Sequence, residues 1–327
     1  MRYDATQYLY ASARIRALEA RLLGRQQLDQ LLSATSADEI LDSLLEKDPK
    51  PGKKNTADRM EAFAQDRLRE ALRAVAESVP DPSLLRFIQY PYDCHNLKVL
   101  EKCRYKGADP TPLLVDLGSV DTKTLLTVPE KELLALLPPH LAAAIEESRT
   151  AYAKTADPQE IDFILDGAAY ADMAEAAAPF PLAAQWVRHR IDLSNLLFCL
   201  RLLRMQSGEM GRSVLERAAL PGGNLSLDFL TECYDGGEEV FAEKVSRTPF
   251  EGVFETGISL SEAERAADDR LMALICQTRS IPFGAEVPVA YLLAVEAENK
   301  NLRILLAGKK AGLDRDTILR RMRACYV

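Results

Sequence analysis

One short pattern, an acid followed three residues later by Asn-Leu, occurs three times along this chain and narrows what it can fold into. The copies are Asp93-Cys-His-Asn96-Leu97, Asp192-Leu-Ser-Asn195-Leu196 and Glu298-Asn-Lys-Asn301-Leu302, with asparagines 99 and 106 residues apart. Each runs on into an apolar and basic helical stretch that ends near a glycine, at Gly107, Gly208 and Gly312. About thirty residues upstream of each lies another helical stretch carrying an acid: Asp66, Asp166 and Asp269. A degenerate fourth copy is visible at Arg14-Ile-Arg-Ala-Leu-Glu19, which parallels Asn96 to Glu101. Four helix starts and three full intervals imply a closed arrangement, in which the C-terminal segment completes a lobe that the N-terminus begins. The expected organisation is therefore a pseudo-threefold body of three lobes: residues 1–95 with 301–327, residues 96–194 and residues 195–300.

The period of the apolar residues makes those lobes helical. Tyr8, Ala11, Ile15, Leu18 and Leu22 fall on one face of a helix. Start signals recur: Ser36 to Glu39 and Ser261 to Glu264 fit a reciprocal capping box, and Asp157-Pro158 with Glu160 combines an N-cap, a first-turn proline and an acid. Alternating β-branched runs are scarce, whereas Ala, Leu, Glu and Arg abound, so the fold class is all-α. Lys47 to Thr56, with its prolines, glycine and like charges, predicts an exposed loop; Pro221-Gly-Gly-Asn224 and Asp235-Gly-Gly237 predict turns.

Three residues apart, the acid and the asparagine of one copy share a helix face, where they can bond each other or a neighbouring helix. The preferred reading of Asp93, Asn96, Asp192, Asn195, Glu298 and Asn301 is structural, since buried polar groups need partners and a thrice-repeated pair has three equivalent jobs. The alternative is a polar ring lining a shared cavity. Trp186 and the tyrosines Tyr90, Tyr92 and Tyr105 are expected in the core or between lobes.

Composition excludes several function classes. With 327 residues, 47% of them hydrophobic, the chain buries a sizeable core. A net charge of −8 gives no global attraction for nucleic acid. The six cysteines form no C-x-x-C pair and the three histidines are scattered, so neither a structural metal site nor a cofactor is expected. No signal peptide opens the chain, which suggests reduced thiols and a cytoplasmic location. Leu133 to Ile145, the longest apolar stretch, is interrupted by Pro138, Pro139 and His140 and falls short of the roughly 20 residues that span a bilayer. Nucleotide loops and hydrolase or metalloprotease motifs are absent, and no catalytic residue is assigned. The basic run Arg315, Arg320, Arg321 and Arg323 reads as a helix C-terminus stabilised through its dipole in preference to a lipid or partner contact.

Three separated blocks carry a family resemblance: FIQYPYDCHNLKVLEKCRYKG, VRHRIDLSNLLFCLRLL and YLLAVEAENKNLRILLAGKKAGLDRDTILRRMRACYV, with YLYASARIRALEARLL at the N-terminus. In order and along the whole chain they resemble the C subunit of A/V-type rotary ATPases, called the d subunit in eukaryotes. The resemblance implies a funnel of three helical lobes with a central cavity. It further implies a non-catalytic rotor part of the central stalk, partnered by D- and F-type shaft subunits and by the membrane proteolipid ring, and peripheral to the cytoplasmic face of the membrane. The family offers no catalytic residue to carry over. Two rivals stand beside it, an α-helical repeat scaffold of unrelated purpose and a helical enzyme using a carboxylate pair in a cavity. The first predicts an open solenoid, the second a pocket holding acids with shifted pKa and turnover by the isolated chain.

Overall fold

The computed structural model describes residues 4–45, 56–206 and 208–327, and these form helices joined by turns and loops, with no strand among them. The loop expected at Lys47 to Thr56 lies outside the described residues except for Thr56, which opens a helix. The chain divides into two compact units. Unit 1 joins residues 1–81 to residues 257–327, and unit 2 is the intervening 82–256.

In chain order, unit 1 begins with α1 (Leu9–Glu19), α2 (Arg25–Leu32), α3 (Ala37–Leu45) and α4 (Thr56–Ala76). Unit 2 then supplies α5 (Arg86–Lys106), α6 (Thr122–Thr127), α7 (Glu130–Leu136), α8 (Pro139–Thr155), α9 (Pro158–Ala177), α10 (Pro181–Arg204), α11 (Gly208–Ala218) and α12 (Leu227–Ser246). The chain returns to unit 1 with α13 (Leu260–Cys276), α14 (Glu286–Lys310) and α15 (Arg315–Arg321). The three copies of the motif fall in α5, α10 and α14.

Local chemistry accounts for most boundaries. Gly107 ends α5 in the left-handed region at φ 61°, its N–H donating to the Cys103 carbonyl, a conformation that costs glycine nothing. Asp157 caps α9 by accepting from the Gln159 amide, and Pro158 takes the first helical position. At α3, the Ser36 hydroxyl accepts from the Glu39 amide, while Glu39 returns its bond to Thr35. The box expected at Ser261 and Glu264 is displaced: α13 starts with Ser259 and Glu262, which exchange both capping bonds, because Ser-Leu-Ser-Glu satisfies the same spacing two residues earlier. The turn expected at Asp235-Gly-Gly237 is a sharp break that divides α12 into two helical segments, where Gly237 adopts φ 79° and ψ −179°.

Each unit has its own core. In unit 1, Leu28 and Leu32 of α2, Ile40 and Leu41 of α3 and Ile318 of α15 close around Leu302 and Leu305 of α14. In unit 2, Leu97 of α5 packs with Val120, Leu125, Leu133, Leu141 and Ile161, drawn from the α6–α9 region. Leu97 and Leu302, each following the asparagine of its copy, hold matching places in the two cores. Trp186 is buried with an edge-on Phe87 at 6.2 Å and Arg190 over its ring, and Tyr90 is buried too. Tyr105 is partly exposed and stacks on Tyr152 at 4.0 Å.

Candidate functional site

All six residues of the repeated pair are buried. The members of a pair do not bond each other, and only Glu298 reaches a neighbouring helix, through Arg67 of α4. Each grips backbone groups of a loop outside its own helix. Asn96 donates to the Val115 carbonyl and accepts from the Val115 amide, both at 2.8 Å. Asn195 does the same with Leu220, at 3.0 and 2.8 Å, and Asn301 with Arg323, at 3.1 and 2.8 Å. A primary amide is the one neutral side-chain group that mirrors a peptide in this way, offering a donor and an acceptor side by side.

The acids hold the next stretch of the loop. Asp93 accepts from the Ser119 and Val120 amides and from the Ser119 hydroxyl. Asp192 accepts from the Asn224 and Leu225 amides and from Asn224 Nδ2, at 2.8 to 2.9 Å. Glu298 accepts from the Leu23 amide at 2.6 Å and pairs with Arg67. The carboxylates of Asp93 and Asp192 sit so close to the loops that glycine precedes the gripped residues in both. A Cβ on Gly118 would stand 2.2 Å from Asp93 Oδ1, and one on Gly223 2.2 Å from Asp192 Oδ1. Burial pushes the carboxyls of Asp93 and Glu298 above the usual range, although the amides facing Asp93, and Arg67 with the Leu23 amide at Glu298, pull the other way.

Further carboxylates play comparable parts without belonging to the motif. Asp172 of α9 accepts from the His140 and Leu141 amides and so caps α8, whose own cap position is Pro138 and makes no side-chain cap bond. Burial raises its carboxyl as well. Glu101, buried, receives a two-pronged bond from Arg149, which also reaches Glu130. The three upstream acids have no common role: Asp66 pairs with Arg69, Asp166 with Lys98, and Asp269 accepts from the Ala324 amide. Of the C-terminal basic run, Arg320 and Arg321 lie in the last turn of α15, whereas Arg323 lies beyond the helix and pairs with Asp268.

The space around these groups is small. A void against Glu298 and Asn301 measures about 10 Å³, near the limit for one water molecule. A larger groove of about 810 Å³ lies beside α11, lined by Gln206, Glu209, Arg212, Glu216, Tyr234 and Asp235 among others. Its arginine is paired with both Glu216 and Asp235. Among the described residues no group of histidine, cysteine and carboxylate side chains has the arrangement of a metal site. No described helix is long and apolar enough to cross a membrane.

The profile of the ATP synthase (C/AC39) subunit family matches residues 11–321. The C subunit of the V-type sodium ATPase of Enterococcus hirae is 24% identical over 321 residues, covering 95% of this chain and 97% of its own. The C subunit of the A-type ATP synthase of Thermococcus onnurineus is 23% identical over 321 residues, covering 92% of this chain and 86% of its own. That of Thermococcus kodakarensis is 24% identical over 336 residues, covering 96% and 89%. With one profile spanning all three copies of the gripping pair, the chain belongs to the ATP synthase (C/AC39) subunit family, the C subunits of V- and A-type ATPases.

Proposed function

We propose that this chain is a non-catalytic rotor subunit that transmits rotation between the central shaft and the membrane proteolipid ring of a V/A-type ATPase, in ion transport or in ATP synthesis. The observation that carries the proposal is the in-order family match over residues 11–321, which brings the whole chain, and not one module, into the family. The geometry supports it. A coupler must resist torque, and here loops are bonded to helices by buried carboxylates and amides, on top of densely packed apolar cores. The acids with raised pKa on α5, α9 and α14 are held against backbone amides, an arrangement that suits a structural part better than an acid–base catalyst.

Three lobes about a shaft-receiving cavity, with residues 1–95 and 301–327 together forming one of them, belong to the same proposal. So does a position on the cytoplasmic face of the membrane, without insertion. The net charge of −8 favours basic docking partners and would act chiefly on the rate of docking. Pull-down of purified shaft subunits of the D and F type by this chain tests the reading. Retention at low salt, weakening as salt rises, is expected. No retention at low salt overturns the coupler, and ATP turnover by the isolated chain would overturn its non-catalytic character.

A further inference from the structure

In the first two copies, one continuous loop feeds both members of the pair. Val115 bonds Asn96 and Val120 bonds Asp93; Leu220 bonds Asn195 and Leu225 bonds Asp192. In the third, the asparagine's partner is Arg323 but the acid's partner is Leu23, from the opposite end of the sequence. Two registers show that Leu23 fills the place of Val120 and Leu225. The residue after each is a helix N-cap: Asp121 for α6, Ser226 for α12 and Gly24 for α2. Counting the same number of residues past each reaches Leu125, Leu230 and Leu28, all buried.

One bond differs, and its replacement is visible. Ser119 and Asn224 give a second amide to their acids, whereas the corresponding Leu22 amide donates to the Glu19 carbonyl. The guanidinium of Arg67 pairs with Glu298 in its stead. Counting forward from Arg323 as from Val115 and Leu220, Tyr326 occupies the register of Gly118 and Gly223. Its hydroxyl donates to Glu19 and contacts Thr278, and Arg16 of α1 ties the Thr278 and Ile281 carbonyls alongside.

We propose that Leu22–Gly24 and Arg323–Tyr326 are two halves of a single repeat loop, and that this split loop is a clasp through which unit 1 opens locally. In a continuous loop, losing one anchor leaves the other a few residues away, and the first re-forms at little entropic cost. Across the split, no short stretch of chain joins Arg323 to Leu23. The C-terminal half can leave Asn301, Asp268 and Asp269, with Tyr326 releasing Glu19 and Thr278, while α2 stays in place, uncovering Glu298 and Asn301.

Native-state hydrogen exchange of the full chain tests the clasp, read by mass spectrometry with fragmentation to single amides. In the wild type, Arg323 and Ala324 are expected to exchange at least tenfold faster than Val115 and Leu220, with little dependence on urea, the mark of local opening. Asn301→Leu should speed Arg323 to Tyr326 at least tenfold further and leave Leu23 to Leu32 unchanged, whereas Asn195→Leu should speed Leu220 to Leu225 together. The proposal is overturned if Arg323 and Leu23 exchange in step, with the full urea dependence of global unfolding. The wild-type urea series separates these outcomes even where the leucine variants do not fold.

Discussion

Gly223→Ala probes the grip of α10 on its loop. The backbone there is not left-handed, so the substitution acts through the added methyl alone. That methyl would lie 2.2 Å from Asp192 Oδ1, 3.2 Å from its Cγ and 3.0 Å from Ile191 Cγ2. Restoring ordinary contact needs a withdrawal of about 1 Å by the carboxylate or the loop. Bonds of 2.8, 2.8 and 2.9 Å to Asn224 N, Asn224 Nδ2 and Leu225 N would then be stretched out of range. Hydrogen bonds to a charged group contribute about 1.5–3 kcal/mol each, so losing two of the three predicts destabilisation of about 3–6 kcal/mol. Urea unfolding followed by fluorescence of Trp186 reports on this unit, because the sole tryptophan is buried in α10 itself. Gly167→Ala in α9 is the control: its nearest neighbour is Pro221 Cδ at 4.0 Å, and a helical alanine there should stabilise by about 0.5–1 kcal/mol. In an Asp192→Ala background the cost of Gly223→Ala should nearly vanish. A Gly223→Ala variant within about 0.5 kcal/mol of wild type would refute the account of how the carboxylate holds the loop.

Arg149→Met leaves the buried Glu101 carboxylate without its two-pronged partner and should destabilise unit 2 by about 3–5 kcal/mol in the same assay; replacing Glu101 as well by methionine should recover much of the loss. Asp172→Ala strips two bonds from the start of α8, and circular dichroism melting should show a loss of about 2–4 kcal/mol, because Pro138 provides no substitute cap. Bonds from Arg149 and then Arg104 hold the Glu130 carboxyl below its ordinary value, so its contribution is present at neutral pH and is lost as pH falls through the folded value. The stability gap between wild type and Glu130→Gln should therefore shrink from pH 7 towards pH 3, and a gap independent of pH would contradict the pairing. Asp93 and Asp172, raised chiefly by burial, have the opposite sign: their contribution favours folding below the ordinary carboxylate range and fades as pH rises through the folded values.

The helices and the gripping pairs were legible because both leave period-dependent marks. An acid and an asparagine three apart must share a helix face, and the Asn-Leu dipeptide marks where polar and core positions meet. Their partners were illegible for a physical reason. Backbone amides and carbonyls are the same at every residue, so nothing in Val115, Leu220 or Arg323 announces that it is held. Gly118 and Gly223 are the trace that a close carboxylate does leave. That trace is missing from the third copy, where Tyr326 takes the same register and Glu298 reaches to Leu23. Asp172 escaped notice because its job, capping a helix that begins with proline, is fixed by tertiary packing. The fourth copy is degenerate in its bonding as well as in its residues. Arg14 resembles Asn96 in its surroundings, yet it bonds Ser78 and Glu77, and the amide that serves the third acid comes from Leu23.

Holding a loop by its backbone has a consequence for a part that must dock with others. The loops gripped on α5 and α10 read Val115-Asp-Leu-Gly-Ser-Val120 and Leu220-Pro-Gly-Gly-Asn-Leu225, and beyond the glycine they share little. Their paths are fixed all the same, since the asparagine and the acid read peptide groups and the glycine admits the carboxylate. The rotor role proposed above calls for a frame that keeps its loops at fixed positions under torque. The third copy departs from the rule, because its held segment is divided between Leu22–Gly24 and Arg323–Tyr326. Stiffness in that copy draws also on Arg67, Arg16 and Tyr326, side chains with specific partners, so substituting any of the three should loosen the frame more than substituting a continuous-loop residue that makes no bond to the acids and is not Gly118 or Gly223.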